Sequence, residues 1–433
     1  IDDALKIYNQ TQQYRKIEIV ENVEEKSIKT YEKEIAALSD LSSKLDTVTA
    51  EEGINLLNIG AMKTGASDIH YEPEEKTITV RFRIDGVLHK VFEIKPDTYR
   101  NLENQLKYDS RMQLNVTTIP QDGRYDFTYN NEKVAVRVSS IPTPYGESFV
   151  CRYLVSEDID LTFEQLGFQE EALMKLRKVC EISHGMVLAT GPTGSGKTTT
   201  LYAILNKMNT PETKIITLED PVEYNIQGVT QSQIDEKRNY NFATGLRAVL
   251  RQDPNIVMLG EIRDLETAET AAQAALTGHT VLSTLHTNSA IETIPRLVNM
   301  GLPQFMIAPA LNTIIAQRLV RKVCANCATF EPISESAKKE FTEVAVKAPE
   351  KVPVVHGCDA CSQTGYKGRV VVAEVITLNN EMKDLILNKA GLVDLIAAAR
   401  KDGMITMRED GFLKVAQGLT TLEEVYRVTN VLE

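Results

Sequence analysis

MVLATGPTGSGKTTTLYAILNKM, residues 186–208, decides the fold. Five residues of apolar strand character (186–190) run into Gly191-Pro-Thr-Gly-Ser-Gly196-Lys197-Thr198, and a helical pattern follows from Thr198. The middle segment satisfies GxxxxGK[ST] in full and lies in the strand–loop–helix context that gives this motif its meaning. The glycines let successive N–H groups curl around an anion, and the helix N-terminus adds its positive end. The reading is a nucleoside-triphosphate site in which Gly191, Thr193, Gly194, Ser195, Gly196, Lys197, Thr198 and Thr199 bind the nucleotide. Lys197 is expected to bridge the β- and γ-phosphates and the Thr198 hydroxyl to hold Mg²⁺.

Around this stretch, short apolar runs alternate with helical patterns: KIITL (214–218), NIVML (255–259) and TVLSTL (280–285). Strands separated by helices predict a mostly parallel α/β sheet from about residue 171 onward. Catalytic carboxylates are sought at the strand ends, which face the ligand crevice of such sheets. KIITL leads into Glu219-Asp220-Pro221-Val222-Glu223, and IVMLG is followed by Glu261. Glu261 suits a Walker B acid beside Mg²⁺. Glu223 is preferred as general base, with Glu219 second. His279 and His286 flank the TVLSTL strand, and either could reach a phosphate or a neighbouring carboxylate.

Upstream, TITVRFRIDG (77–86), VLHKVFEI (87–94), GRYDFTYN (123–130) and KVAVRVSSI (133–141) alternate apolar with polar residues across Asp-Gly and Asn-Asn turns. They predict antiparallel strands with one wet face. A helix is expected to open at Thr49, with Glu52 completing a capping box, and to end at Gly65. The result is a small α+β domain over 46–163 whose strands are rich in arginine: Arg81, Arg83, Arg124, Arg137 and Arg152. Residues 1–45 read as an N-terminal remnant and charged linker, 164–170 as an interdomain linker, and 381–433 as a helical C-terminal segment.

The chain has 433 residues, 42% of them apolar and 25% charged, which is ordinary globular composition. No apolar run approaches the ~18 residues of a membrane span, and the start carries neither Met nor a secretory pattern. The net charge of −12, the absence of Trp and the 6% aromatic content argue against a nucleic-acid motor. Of six cysteines, Cys324, Cys327, Cys358 and Cys361 form two CxxC knuckles thirty residues apart, while Cys151 and Cys180 stand alone. Four thiolates in two such turns suit a closed tetrahedral Zn²⁺ site in a reducing compartment. A redox dithiol, or His356 in place of one Cys, are the alternatives weighed.

Several ordered boxes carry a resemblance: GPTGSGKTTT (191–200), TLEDPVEY (217–224), LRQDPNIVMLGEIRD (250–264) and TGHTVLSTLHTN (277–288). With SDIHYEP (67–73), PQDGR (120–124), AQRLVRKVC (316–324) and GYKGR (365–369), the chain resembles the secretion ATPase superfamily over about residues 50–433. The branch is that of the type IV pilus assembly ATPase PilB and the type II secretion ATPase GspE. The resemblance implies a RecA-like P-loop NTPase C-terminal domain with a zinc-binding insert (323–372) inside 171–433, preceded by a PAS-like α+β domain. It puts Glu219 and Glu223 in an aspartate box, makes Glu261 the Walker B acid and places His286 in a histidine box. Arg137 and Arg152 match arginines that reach the phosphates from the N-terminal domain. Arg124, Arg247, Arg251, Arg263 and Arg369 match further family arginines.

It also implies ATP, Mg²⁺ and Zn²⁺ as cofactors, and a homo-hexamer on the cytoplasmic face of the bacterial inner membrane, peripheral and not integral. There it would work with an inner-membrane platform protein and cytoplasmic pilus or secretion components, without nucleic acid. The cysteine module marks a pilus assembly motor, or alternatively a type II secretion motor, rather than a retraction motor. A nucleotide-gated ring whose slow hydrolysis only resets conformation is the remaining competitor.

Overall fold

The computed structural model describes residues 45–154 and 161–429, in two compact units divided between Val155 and Ser156. Apart from Leu45, the expected N-terminal remnant and linker lie outside the described residues.

In the first unit, Thr49 caps the helix Ala50–Thr64, accepting from the Glu52 N–H at 3.3 Å while Glu52 accepts from the Thr49 N–H at 2.9 Å. Gly65 ends it at φ +67°, as expected. Six strands follow, with a helix Pro96–Asp109 between the third and fourth. They are β1 (Ala66–Pro73), β2 (Ile78–Ile84), β3 (Val87–Ile94), β4 (Gln121–Tyr129), β5 (Glu132–Thr143) and β6 (Gly146–Leu154). All pairs are antiparallel, in the order β3-β2-β1-β6-β5-β4. Asp85-Gly86 and Asn130-Asn131 take positive φ at both turn positions, the geometry whose twist suits a two-residue hairpin. One face is the core, with Ile69, Tyr71, Val80, Phe82, Val136, Val138, Phe149 and Cys151 fully buried. The central pair β1 and β6 is additional to the four strands expected. β1 escapes a hydrophobic-period reading because Asp68, a charged residue, is buried within it.

A buried charge cluster pins the helix Pro96–Asp109. Lys107 pairs with Glu147, stands 3.8 Å from Glu103 and donates to the Val116 carbonyl at 3.0 Å. One cation thus serves two carboxylates. Burial, and then the hydrogen bond and charge of Glu147, push Glu103 up to about 7. The folded state therefore holds a proton that the unfolded chain releases, so this stabilisation is complete below about pH 4.5 and is lost as pH rises through about 7. Glu103→Gln, which stays neutral, is expected to raise the melting midpoint of this unit at pH 8 and leave it unchanged at pH 4.5. Thermal scans at the two pH values check this.

The second unit begins earlier than expected. Residues 164–170 do not form a linker: Phe163–Leu166 is a short helix with a Thr162–Gln165 capping box. Its Phe163 and Leu166 are buried with Leu176 and Val179 of the helix Glu170–Val179. Their apolar surface therefore places them inside the domain.

The main sheet holds β7 (Gly185–Thr190), β8 (Ile215–Glu219), β9 (Thr230–Gln233), β10 (Ile256–Leu259), β11 (Thr280–Leu285) and β12 (Leu311–Val323). A small antiparallel pair, β13 (Thr329–Pro332) with β14 (Lys351–Val354), joined through the helix Glu335–Glu343, precedes β15 (Tyr366–Thr377), which completes the main sheet. The order is β15-β12-β7-β11-β10-β8-β9, parallel except for β15 against β12. Every residue of β7, β8, β10 and β11 is buried, as an all-apolar strand with helices on both faces requires. β15 starts at Tyr366, so 366–372 belong to the main sheet and the cysteine module proper spans about 324–365. The C-terminal segment is helical as expected, in four helices from Asn380 to Thr429.

Candidate nucleotide and metal sites

Parallel register brings the strand ends together. Thr190 pairs with Leu285, Ser283 with Leu259, and Leu259 with Leu218. Gly191, His286, Glu261 and Glu219 therefore follow along one edge of the sheet. His279 precedes β11 and bonds the Ala274 carbonyl through Nδ1 at 3.1 Å. A six-residue strand, about 20 Å long, separates it from the P-loop edge, so it lies at the end of β11 away from the phosphates.

At the loop itself, Gly191 sits at φ +146°, and a Cβ there would lie 2.6 Å from both the Gln317 carbonyl and Ser195 Oγ. Close approach of β12 is thus what demands this glycine. Gly194 and Gly196 take φ +77° and +85°, the left-handed region in which glycine is favoured. The helix Lys197–Met208 starts immediately after, aiming its free N–H groups at the loop. Thr198 and Thr193 are exposed. The Lys197 ammonium donates to the Gly191 and Pro192 carbonyls at 2.9 and 3.0 Å. Burial pulls Lys197 down to about 8; Arg318 adds to the effect and Glu261 opposes it. These three side chains share one electrostatic site.

Glu261 is half-buried. It pairs with Arg263, and its other oxygen stands 3.5 Å from His286 Nε2. The two aspartate-box glutamates differ. Glu219 is buried, and its carboxylate accepts from Tyr202 Oη, from Thr217 Oγ1 at 2.5 Å and from Gln231 Nε2 at 3.0 Å. Glu223 lies four residues on, past a cis Asp220–Pro221 bond, half-buried in a loop. No hydrogen bond or ion pair to a described residue engages its carboxylate. Glu219 is committed to holding its strand end, and Glu223 is available. Sequence reasoning did not foresee Gln317 and Arg318 against the P-loop. The signal was a polar pair inside the apolar run LNTIIAQRLV (311–320), a pattern that strands buried on both faces rarely carry.

Four of the five strand arginines of the first unit, all but Arg81, lie in one cross-strand row. Register pairs Arg83 with Asp68, Asp68 with Arg152, Arg152 with Arg137, and Arg137 with Arg124. Directly paired residues share a face, here the one opposite the core. Asp68 accepts from Arg152 Nε at 2.7 Å and from Ser67 Oγ at 2.8 Å, with Arg83 Nε at 3.3 Å. Its side chain is 3% exposed against 48% for Arg152, so a fixed carboxylate aims a solvent-facing guanidinium. Asp68→Asn is expected to destabilise this unit by about 1–3 kcal/mol, the worth of hydrogen bonds to a charged group. Chemical denaturation of the variant measures it.

The four module cysteines converge. Their sulfurs all lie within 4.8 Å of one another, with Cys324–Cys358 at 3.8 Å, Cys327–Cys361 at 3.9 Å and Cys358–Cys361 at 3.6 Å. Four sulfurs at about 2.3 Å from a central ion stand about 3.8 Å apart, so the set fits a tetrahedral Zn²⁺. N–H groups of Cys358 and Gly365 donate to Cys361 Sγ at 3.3 and 3.2 Å. Burial alone would raise this thiol, but those donors together with the Cys358 and Cys327 thiols outweigh it and hold it at about 7. Cys324 directly follows β12 and donates its N–H to the Gly365 carbonyl at 2.9 Å, just before β15. The site thus clips together the ends of the two strands. His356 bonds Thr329 through Nε2 at 2.9 Å and is not one of the four ligands.

The sheet order, the glycine loop and the edge carboxylates together define a RecA-like P-loop nucleoside triphosphatase. A family model described as "Type II/IV secretion system protein" matches residues 44–427, and the chain belongs to that family. It is 43% identical over 404 residues to the type II secretion system protein E of Pseudomonas aeruginosa, covering 92% of this chain and 80% of that protein. It is 41% identical over 393 residues to the type IV pilus assembly ATPase PilB of the same organism, covering 90% and 69%. Among solved structures it is similar to the pilus retraction motor PilT with bound ADP, at 27% identity and TM-score 0.57, covering 87% and 96%. The chain is an ATP hydrolase of this family. No helix among the described residues is long and apolar enough to cross a membrane.

Proposed function

We propose that this chain is the cytoplasmic, hexameric motor of a pilin-type filament machine, hydrolysing Mg-ATP to extract and polymerise pilins through an inner-membrane platform protein. The observation that carries it is that the chain holds both a complete ATP-binding loop and a cross-strand arginine row in which a buried carboxylate aims the exposed Arg152. In this reading Lys197 and the loop N–H groups hold the phosphates, Thr198 holds Mg²⁺, and Glu261 orders the metal's water shell. Glu223 takes the proton of the attacking water, and His286 holds Glu261 in place. Arg137 and Arg152 would stabilise the charge that develops on the terminal phosphate. A planar guanidinium suits that role because it presents several donors in a fixed fork.

Type IV pilus assembly is the preferred cargo. Type II secretion is the second reading, favoured by the 43% identity to a protein of that name. Zn²⁺ in the four-cysteine site belongs to both. Deleting the gene in its host separates them: loss of surface pili and of twitching supports the first, and loss of exoprotein release with pili intact supports the second. Arg137→Ala with wild-type turnover would overturn the arginine role.

A further inference from the structure

The side chain of Arg318 sits where two loops of the nucleotide site meet. It is 8% exposed, and no carboxylate among the described residues is ion-paired with it. The Glu292 and Glu374 carboxylates offset its burial only from beyond ion-pair distance, so a largely desolvated guanidinium here depends on its hydrogen bonds to hold it. Nη1 donates to the Gln317 carbonyl at 3.1 Å and lies against the P-loop: a Cβ on Gly191 would stand 3.1 Å from it. The preceding residue, Gln317, is fully buried and donates through Nε2 to the Ser195 carbonyl at 2.8 Å. Nη2 faces the other way and donates to Asn288, at 3.3 Å to both the backbone carbonyl and Oδ1.

Asn288 is two residues past His286, in the loop that follows β11. That loop is held at two further points. The Thr287 N–H donates to Thr190 Oγ1 at 3.1 Å, and the Ala290 N–H donates to the buried Glu374 carboxylate at 2.7 Å. Thr190 anchors the loop's beginning to the end of β7, and Glu374 anchors its far end to β15. Among the described residues, Arg318 ties its middle to β12 at Gln317, where the strand lies against Gly191 of the P-loop.

We propose that Arg318 is a positioning residue for ATP hydrolysis, a strut that fixes the 286–292 loop against the P-loop so that His286 and Glu261 keep their placement relative to Lys197. The inference rests on the role given above to His286. A planar fork with donors at both ends can span two acceptors, whereas an ammonium is a point donor and cannot replace it. Misplacing catalytic groups by about 1 Å costs up to about 10²-fold in rate without touching ground-state affinity.

The test compares wild type with Arg318→Lys, Asn288→Ala, His286→Ala and the double variant Arg318→Lys/His286→Ala. It measures kcat, KM and the Kd of a fluorescent ATP analogue. Arg318→Lys is expected to lower kcat by about tenfold or more and to leave Kd within about threefold. Asn288→Ala removes only one acceptor, on an exposed residue, and should lower kcat by about two- to fivefold. Because Arg318 acts through the His286 loop, the double variant should be within about twofold of His286→Ala.

Losses that multiply in the double variant, or a Kd weakened as much as kcat, would overturn the strut while leaving His286 its role. Wild-type turnover in His286→Ala overturns that role and, with it, the strut. If Arg318→Lys does not fold, the same cycle is run with Asn288→Ala in its place.

Discussion

Glu223→Gln is expected to bind Mg-ATP with an affinity within about threefold of wild type and to lose about 10²–10⁴-fold in kcat, the usual contribution of a positioned general base. The substitution keeps the shape of the side chain and removes only its ability to accept a proton. The half-buried Glu223 carboxylate makes no hydrogen bond or ion pair with a described residue, and its charge is felt at Tyr202 without bonding it, so little else in the fold depends on it. Glu219→Gln should behave differently. Its carboxylate accepts from Tyr202, Thr217 and Gln231. An amide brings two donors into a place built from donors, so the expected loss is stability, about 1–3 kcal/mol, with a smaller change in kcat. Single-turnover kinetics with a parallel melting curve read both variants. The assignment fails if Glu223→Gln turns over normally while Glu219→Gln stalls with an unchanged melting curve.

Removing the metal is the second large effect. The β13–β14 pair and the helix Glu335–Glu343 have a small core of their own, centred on Phe341, which packs edge-on at 4.8 Å against Phe412 of the C-terminal helices. Close to the knuckles, the chain is held by the cysteine site and by the Cys324–Gly365 backbone bond. Structural zinc sites of this kind contribute on the order of 10 kcal/mol to folding. Purified protein should carry one Zn²⁺ per chain by elemental analysis. Chelation, or Cys358→Ser, should make residues 324–365 sensitive to protease while leaving the main sheet protected, because β12 and β15 remain paired in register from Thr313–Thr377 to Arg321–Arg369. Cobalt substitution should give the intense thiolate charge-transfer absorption of a tetrahedral sulfur site. A metal-free protein with an intact module would sink the proposal.

The legible parts of this protein are those governed by local rules. The P-loop declares itself because phosphate binding needs glycine conformations, a lysine and a helix start in fixed order, and all of these are consecutive in the chain. The capping box at Thr49, the hairpins at Asp85-Gly86 and Asn130-Asn131 and the strands β7, β8, β10 and β11 are legible for the same reason. So were the four cysteines, whose ligand chemistry survives any spacing that a turn can close.

Tertiary structure decided what depends on partners distant in sequence. Glu219 and Glu223 are equivalent as letters, and only burial against Tyr202 and Gln231 separates them. His279 and His286 flank one strand, and only the parallel register tells which end faces the phosphates. Residues 164–170 resemble a linker until Phe163 and Leu166 find a core to enter. Arg318 lies in an apolar run far from every motif, and its place beside Gly191 exists only because β12 pairs with β7. Sequence by itself determined which chemistry the chain can perform, because phosphate and metal ligands are recognisable by type and order. Which of the candidate groups are placed and free to take part was decided by packing, since desolvation and hydrogen-bond partners are supplied by residues up to a hundred or more positions away.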